Sequence, residues 1–430
     1  MWDCEGNKAP GPDGINFFFI KKAWNIIGGD IVQMVDEFYR TNILPPGINS
    51  SFVTLIPKVK GTNKLQDFRP ISLVGSLYKI ISKLLASRVK RVLPKVISDH
   101  QNAFIKGRQI LDSVLIANEA INFMKKKNVK GYLFKLDFHK AFDSVLWDYV
   151  NEVMASMGFG SRWRDWIMQC LSTAKMSVLV NSSPTKEFSL EKGLRQGDPL
   201  SPFLFNIAVQ GLSCMLQRGC DLGLIEGVSI GQAGFPLSHL QFAYDTLIFS
   251  SASLESMQNV KRILLCFELM SGLKVNFSKS SIFGVGIEDH VCDYTTQTLR
   301  CKQGHLPFKY LGLPIGANSC RLLMWNPIIQ NISSRLAAWK VKLLSIGGRL
   351  CLIKSVLSNL PIYFLSLFPM PVAVSSAIEK KFRCFLWSGK EEGKSMCNVG
   401  WPTVSMPKSA GGLGIGSLQN KNKALLFKWL

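Results

Sequence analysis

Two runs of strand-forming residues in this chain each meet one carboxylate, and this pairing restricts the fold more than any other feature of the sequence. GYLFKLD (Gly131–Asp137) is mostly apolar until it stops at Asp137. HLQFAYDTLIFS (His239–Ser250) has two short apolar runs that meet at Tyr244 and Asp245, the pattern of a hairpin with its acidic residue at the tip. A side chain at the C-terminal end of a sheet strand is placed to face a cleft. An unpaired carboxylate in an apolar setting is costly unless a cation meets it. For either Asp alone, a cap on a helix or turn is the favoured explanation.

The rest of the pattern supplies the frame. NKAPGPDGIN is a turn cluster, followed by helical periodicity through Trp24, Ile27, Ile31, Val35 and Phe38. SFVTLIPK (Ser51–Lys58) reads as a strand. Leu77–Val96 reads as a long helix ending near Pro94, with Lys79, Lys83, Arg88, Lys90 and Arg91 giving it a basic face. Asp112–Lys127 repeats the helical pattern, and a further helix is expected after Asp143, with Asp143 as its N-cap. Beyond the hairpin run, Leu254–Met270 is helical, short strands surround VNFSKSSIFGVG, and KYLGLPIG is another strand-like piece. From Trp325 the signal is mainly helical, over Ile328–Val341, Ile346–Leu357 and Val374–Trp387. Strands and helices followed by helices alone predict an α+β fold with an all-α appendage. The 430 residues, 47% of them hydrophobic, suffice for about two or three subdomains around a large core.

Lys and Arg outnumber Asp and Glu by 51 to 29, a formal charge of +22 that favours a polyanionic partner, nucleic acid first. A solvated basic surface is the plain alternative. The eleven cysteines are scattered without a CxxC pair, and no secretory leader pattern follows Met1, so a reduced, intracellular chain is expected. Leu360–Val374 is too short to span a bilayer and is broken by Pro361, Pro369 and Pro371. His290, Cys292, Cys301 and His305 match no standard zinc spacing.

Between the two aspartates lies GLRQGDPLSPFLFN (Gly193–Asn206), a turn leading into a helix, suited to letting a flat base pair approach the backbone. Carboxylates converging from separate segments are what nucleotidyl transfer needs to hold two divalent cations, one activating the attacking hydroxyl and one neutralising the triphosphate. The ordered series KAPGPDGIN, FVTLIPK, FRPISL, QNAFIKGR, FKLDFHKAFD, GLRQGDPLSPFLFN, FAYD, GLKVNFSKS and KYLGLPIG resembles the reverse transcriptase of non-LTR (LINE-type) retrotransposons, of a plant-like kind, over nearly the whole chain. Group II intron maturases share the RQG and aromatic-Ala-Asp-Asp themes, but KAPGPDG and KYLGLPIG favour the retrotransposon type.

The resemblance implies a right-hand polymerase fold. Residues 1–50 would be an N-terminal extension, 51–130 fingers and 131–300 a palm with an antiparallel sheet and an interleaved finger segment. Residues 301–430 would hold the primer grip, a helical thumb and a C-terminal extension. It implies Asp137 and Asp245 as ligands of Mg²⁺, two ions being expected in the family, with the Phe138 carbonyl beside Asp137. Phe142 matches the aromatic under the incoming sugar, where ordinary core packing is the plain alternative. Gln196 and Gly197 match residues against the incoming nucleotide and template base, and Lys58, Arg69 and Arg108 match basic residues near triphosphate or template. Lys279 is the candidate for protonating pyrophosphate, with Lys274 close by. Tyr310, Leu311 and Gly312 match the primer grip. The implied partners are an RNA template, a DNA primer or RNA/DNA hybrid, and a dNTP.

One position departs from the family pattern. Where aromatic-Ala-Asp-Asp is expected, the chain reads Phe242, Ala243, Tyr244, Asp245. A phenol with pKa near 10 stays neutral at pH 7 and is a poor Mg²⁺ ligand. Losing such a ligand is expected to cost on the order of 4 kcal/mol or more, leaving negligible polymerase activity. The chain opens almost at KAPGPDG, without the endonuclease usual in the family, which is read as a decayed copy of an element. The competing reading is a basic protein that still binds RNA or an RNA/DNA hybrid through phosphates without chemistry.

Overall fold

The structure is a computed structural model and describes residue 2 and residues 4–231, 234–338, 344–388 and 399–429. The chain divides into two compact units, Met1–His305 and Leu306–Leu430. The first is α+β, as the sequence pattern predicts, and the second is mainly helical.

At the centre of the first unit is a five-stranded sheet, in the order Lys302–Gly304, Ser281–Val285, Gly131–Leu136, Asp245–Ser251 and His239–Phe242. Gly131–Leu136 runs antiparallel to both of its neighbours. Its alternation puts Tyr132, Phe134 and Leu136 on one face, where they join Ile248 and Ile282 in the main core. Side chains from the Ser76–Val96, Ser201–Asp221 and Leu254–Ser271 helices fill that core. The remaining residues of Gly131–Leu136 belong to the opposite face, whose line continues through Lys135 to Asp137.

A second sheet joins Ser50–Pro57, Phe68–Val74 and Lys175–Val180, with short additions at Ser183–Pro184 and Phe188–Ser189. Ser50–Pro57 pairs antiparallel with Phe68–Val74 and parallel with Lys175–Val180. The turn cluster near the N-terminus docks on the start of the Ser76–Val96 helix: an Asp13 Oδ2 accepts the Ser76 N–H, and Gly11 lies so close to Gly75 that a Cβ would sit 2.5 Å from its nitrogen.

The long helix expected over Leu77–Val96 is found at Ser76–Val96; Pro94 in its final turn removes a single N–H, and Ile97 N–H still closes onto the Leu93 carbonyl. Two local expectations need correction. Asp143 is no N-cap: Lys140 adopts φ 48°, a short helix Ala141–Ser144 starts before Asp143, and Leu146 precedes the Trp147–Ser156 helix without a side-chain cap. KYLGLPIG forms two strands, Phe308–Tyr310 and Leu313–Ile315, paired antiparallel about a turn at Leu311 and Gly312.

In the second unit this hairpin precedes the helices Asn326–Ala338, Ile346–Ser355, Val372–Ser388 and Leu418–Leu426. Residues 339–341 of the helix expected over Ile328–Val341 lie outside the described residues. Asn422 holds the last helix in place: its Oδ1 accepts Met370 N–H, and its Nδ2 donates to the Leu365 and Phe368 carbonyls. Among the described residues no helix is long and apolar enough to cross a membrane.

Candidate functional site

Asp137 and Asp245 meet at one end of the central sheet. The ladder pairs Thr246 with Leu136, and its antiparallel register, continued by one residue, sets Asp245 opposite Asp137. Residues so placed have Cβ atoms about 4.5–5.5 Å apart. The backbone of Asp137 is held on its other side: its N–H donates to Ser280 Oγ at 3.0 Å, and its carbonyl accepts Asn276 N–H at 2.7 Å. Asp245 opens its strand and pairs with Phe242 across the two-residue turn Ala243–Tyr244, where Ala243 adopts φ 53°.

Electrostatics link these groups. Burial pushes the Asp245 carboxyl above the ordinary carboxylate range; Lys135 opposes the shift and Asp137 adds to it. Lys135 lies two residues before Asp137, on the same face of its strand. Burial likewise pushes the Tyr244 hydroxyl up, Asp245 and Asp137 reinforce the shift, and Arg69 opposes it. Tyr244 is 42% exposed. At neutral pH it is therefore an uncharged group beside two carboxylates, within electrostatic reach of Arg69 from the second sheet.

The Gln196–Gly197 turn is clamped from several sides. The Gln196 carbonyl accepts Ser72 N–H at 2.7 Å, and a Cβ on Gly197, at φ 113°, would lie 2.6 Å from the Ser72 carbonyl oxygen. Only glycine fits so close an approach. The flanking residues form a network that sequence reasoning did not find. Arg195 and Asp198, each with a side chain only 4% exposed, pair at 2.9 Å. Tyr78 OH donates to Asp198 Oδ2 at 2.7 Å, and the Arg195 guanidinium lies 4.5 Å from the Tyr78 ring centre. Arg195 Nη1 also donates to the Asn49 carbonyl at 3.2 Å. The only trace of this in the sequence is an Arg and an Asp three apart in a Gly/Pro turn. Nothing there identifies Tyr78, 120 positions away, as their partner.

The other expected site residues are scattered. Phe138 is buried beside Asp137 and bridges to Val275. Phe142 stacks on Phe205 with ring centres 4.8 Å apart, and its carbonyl accepts Leu194 N–H, so it packs beneath the glycine turn. Lys58 Nζ donates to the Gln66 carbonyl at 3.0 Å, while Lys279 is exposed in the turn that holds Asp137. The Arg108 guanidinium donates to the carbonyls of Ile97, Ser98 and Gln101 and pairs with Asp99. These bonds tie the side chain to the segment that follows the Ser76–Val96 helix. Tyr310, Leu311 and Gly312 lie in the second unit, where Tyr363 OH donates to the Leu311 carbonyl at 2.8 Å.

As a cation site, the facing pair offers two carboxylates. Among the described residues no group of three or more His, Cys, Asp and Glu converges. Two carboxylates suit one hard dication completed by water and phosphate oxygens, since Mg²⁺ is commonly held that way.

A sheet presenting facing carboxylates at one end, with a glycine turn beside a second sheet, is the frame of a nucleic-acid polymerase. Residues 56–315 match the family model described as reverse transcriptase (RNA-dependent DNA polymerase), and the chain belongs to that family. It is 26% identical over 96% of its length to the transposon TX1 uncharacterized 149 kDa protein of Xenopus laevis, covering 31% of that protein. It is also 26% identical over 96% of its length to the Pol polyprotein of the type-2 retrotransposable element R2DM of Drosophila melanogaster, covering 38% of it. The chain thus spans about a third of the length of these curated relatives. Among solved structures, telomerase from Candida albicans in complex with a fragment of telomeric RNA aligns with 87% of this chain and 69% of its own, at 10% identity and a TM-score of 0.47. The resemblance to non-LTR retrotransposon reverse transcriptases is borne out by the family and these relatives, and the helix-and-sheet architecture accords with a right-hand polymerase.

Proposed function

We propose that this chain is the reverse transcriptase core of a non-LTR retrotransposon protein that still engages RNA and nucleotide but polymerises at a strongly reduced rate. In this reading residues 51–130 act as fingers, 131–300 as palm and 301–430 as primer grip and thumb. One observation carries the loss of activity: the position beside Asp245 holds the neutral phenol of Tyr244, raised in pKa by burial and by Asp245 itself.

Reverse transcriptases use divalent metal ions, and Mg²⁺ bound here would supply positive charge to the reacting phosphates. Asp137, Asp245 and the Phe138 carbonyl would hold it. The chain's own residues do the positioning. Gln196 and Gly197 offer a flat backbone to the base pair, Arg69 and Lys58 offer cations to phosphate, and Lys279 stands as a proton donor for the leaving group. Tyr244 takes one negative ligand from this set. The loss corresponds to about 4 kcal/mol, on the order of a thousandfold in rate. The partners in this reading are an RNA template, a DNA primer or hybrid, and a dNTP. The excess of Lys and Arg, 51 against 29, supports a second reading in which phosphate binding persists with no turnover at all.

Primer extension on an RNA template with Mg²⁺ or Mn²⁺ tests both readings, comparing the chain, its Tyr244→Asp variant, and that variant carrying Asp137→Ala. Weak extension that rises with Tyr244→Asp and vanishes with Asp137→Ala supports the impaired polymerase. RNA binding with no extension by the first two supports the binding protein.

A further inference from the structure

The loop Gln101–Arg108 carries an aromatic ring in an unusual setting. Phe104 adopts φ 57°, and among the described residues it is the one aromatic with a positive φ. A bulky side chain pays free energy to sit in the left-handed region and stays there only when its surroundings hold it. The surroundings of Phe104 do so. Ala103 and Ile105 on either side are 0% and 5% exposed, while Phe104 is 51% exposed. Asn206 Nδ2 donates to the Ala103 carbonyl at 2.6 Å, and Gln101 Oε1 accepts Ala103 N–H at 3.0 Å. Two buried anchors thus force the intervening ring outward, strained and into solvent, although burying it would be the favourable use of its surface.

The same loop is tied to the turn that carries Tyr244 and Asp245. Gln101 Oε1 accepts Ala243 N–H at 2.8 Å, and Gln101 Nε2 donates to the Ala243 carbonyl at 3.3 Å. Asn102 N–H donates to the Gln241 carbonyl at 3.0 Å, and Gln241 N–H to the His100 carbonyl at 2.7 Å. The ring is therefore mounted on a support fixed directly to the hairpin of the candidate site. Lys106, two residues on, is exposed.

We propose that Phe104 is a stacking platform for an unpaired base of an RNA strand, with Lys106 meeting an adjoining phosphate. The inference rests on the RNA-binding reading above. Unpaired bases stack on exposed aromatic rings without regard to sequence, and a rigid mount lowers the entropy lost when one docks. Ordinary surface exposure does not account for the ring, because a glycine or asparagine at φ 57° would fold with less strain.

The test separates strain from stacking. A short single-stranded RNA carrying 2-aminopurine is titrated into the full chain, Phe104→Ala, Phe104→Gly and Phe104→Tyr, with thermal unfolding measured in parallel. Phe104→Gly relieves the backbone strain and is expected to raise Tm while weakening RNA binding about tenfold. Phe104→Ala keeps the strain and is expected to lose the same affinity together with the 2-aminopurine quenching; Phe104→Tyr retains both. Affinity and quenching unchanged in the Ala and Gly variants would overturn the platform while leaving RNA binding intact. Absence of RNA binding by the unaltered chain overturns the functional reading and the platform with it.

Discussion

Asp245 stands across the sheet from Asp137, one residue beyond the last paired couple, Thr246 and Leu136. Both carboxylates thus sit where the ladder has run out of partners, and Asp137 raises the cost of ionising Asp245 unless a cation lies between them.

Tyr244→Asp is therefore expected to increase primer extension by on the order of a thousandfold in Mg²⁺. Steady-state incorporation with a matched dNTP measures it. A gain of less than about tenfold would show that the lost carboxylate is not what limits the chain.

Asp198→Asn is expected to destabilise the first unit by about 3–5 kcal/mol, because it leaves the Arg195 guanidinium buried without its counter-charge. Tyr78→Phe removes one hydrogen bond from the same carboxylate and should cost about 1 kcal/mol. Urea unfolding followed by tryptophan fluorescence reads both, and adding Arg195→Met to Asp198→Asn should recover part of the larger loss.

Arg108→Ala should lower stability by roughly 2 kcal/mol through the Ile97, Ser98 and Gln101 carbonyls it leaves without their donor, with no change in nucleotide affinity at temperatures where the variant is folded. A selective loss of dNTP binding would instead support the phosphate-contacting role.

Asp143 offers a test by pH. Burial pushes its carboxyl above the ordinary range, with Lys140 opposing. The folded state thus binds this proton more tightly than the unfolded state, whose value is about 3.9, and ionised Asp143 works against folding at neutral pH. Asp143→Asn should raise Tm slightly at pH 7, and the advantage should vanish as pH falls through the folded pKa to the unfolded one. Thermal scans from pH 7 to pH 3.5 decide it; an advantage that persists at the acid end contradicts the assignment.

The sheet, the hairpin and the long helices could be read from alternation and periodicity because each follows from neighbours along the chain. Asp137 and Asp245 stood out for the same reason, as single acids closing or opening apolar runs. Arg108 could not be read so. Its type and its place in QNAFIKGR match a phosphate ligand, and only the fold reveals that the segment following the Ser76–Val96 helix engages its guanidinium. Asp143 misled because a capping residue depends on where the helix begins, and a positive φ at Lys140, which no pattern announces, moved that start. Tyr78 and Phe104 were invisible for opposite reasons. One acts through a partner far away in sequence, and the other through a backbone angle forced by its buried neighbours.

The parallel pairing of Ser50–Pro57 with Lys175–Val180 sets an order of events during synthesis. Ser51 Oγ reaches a carbonyl 124 positions further along the chain. At about 5–20 residues per second on the ribosome, one edge of the nascent strand waits on the order of ten seconds for its partner. Through that interval the antiparallel strand Phe68–Val74 protects only the other side. The open edge is where another chain can pair, so the yield of properly folded protein depends on what shields Ser50–Pro57 until residue 180 has emerged.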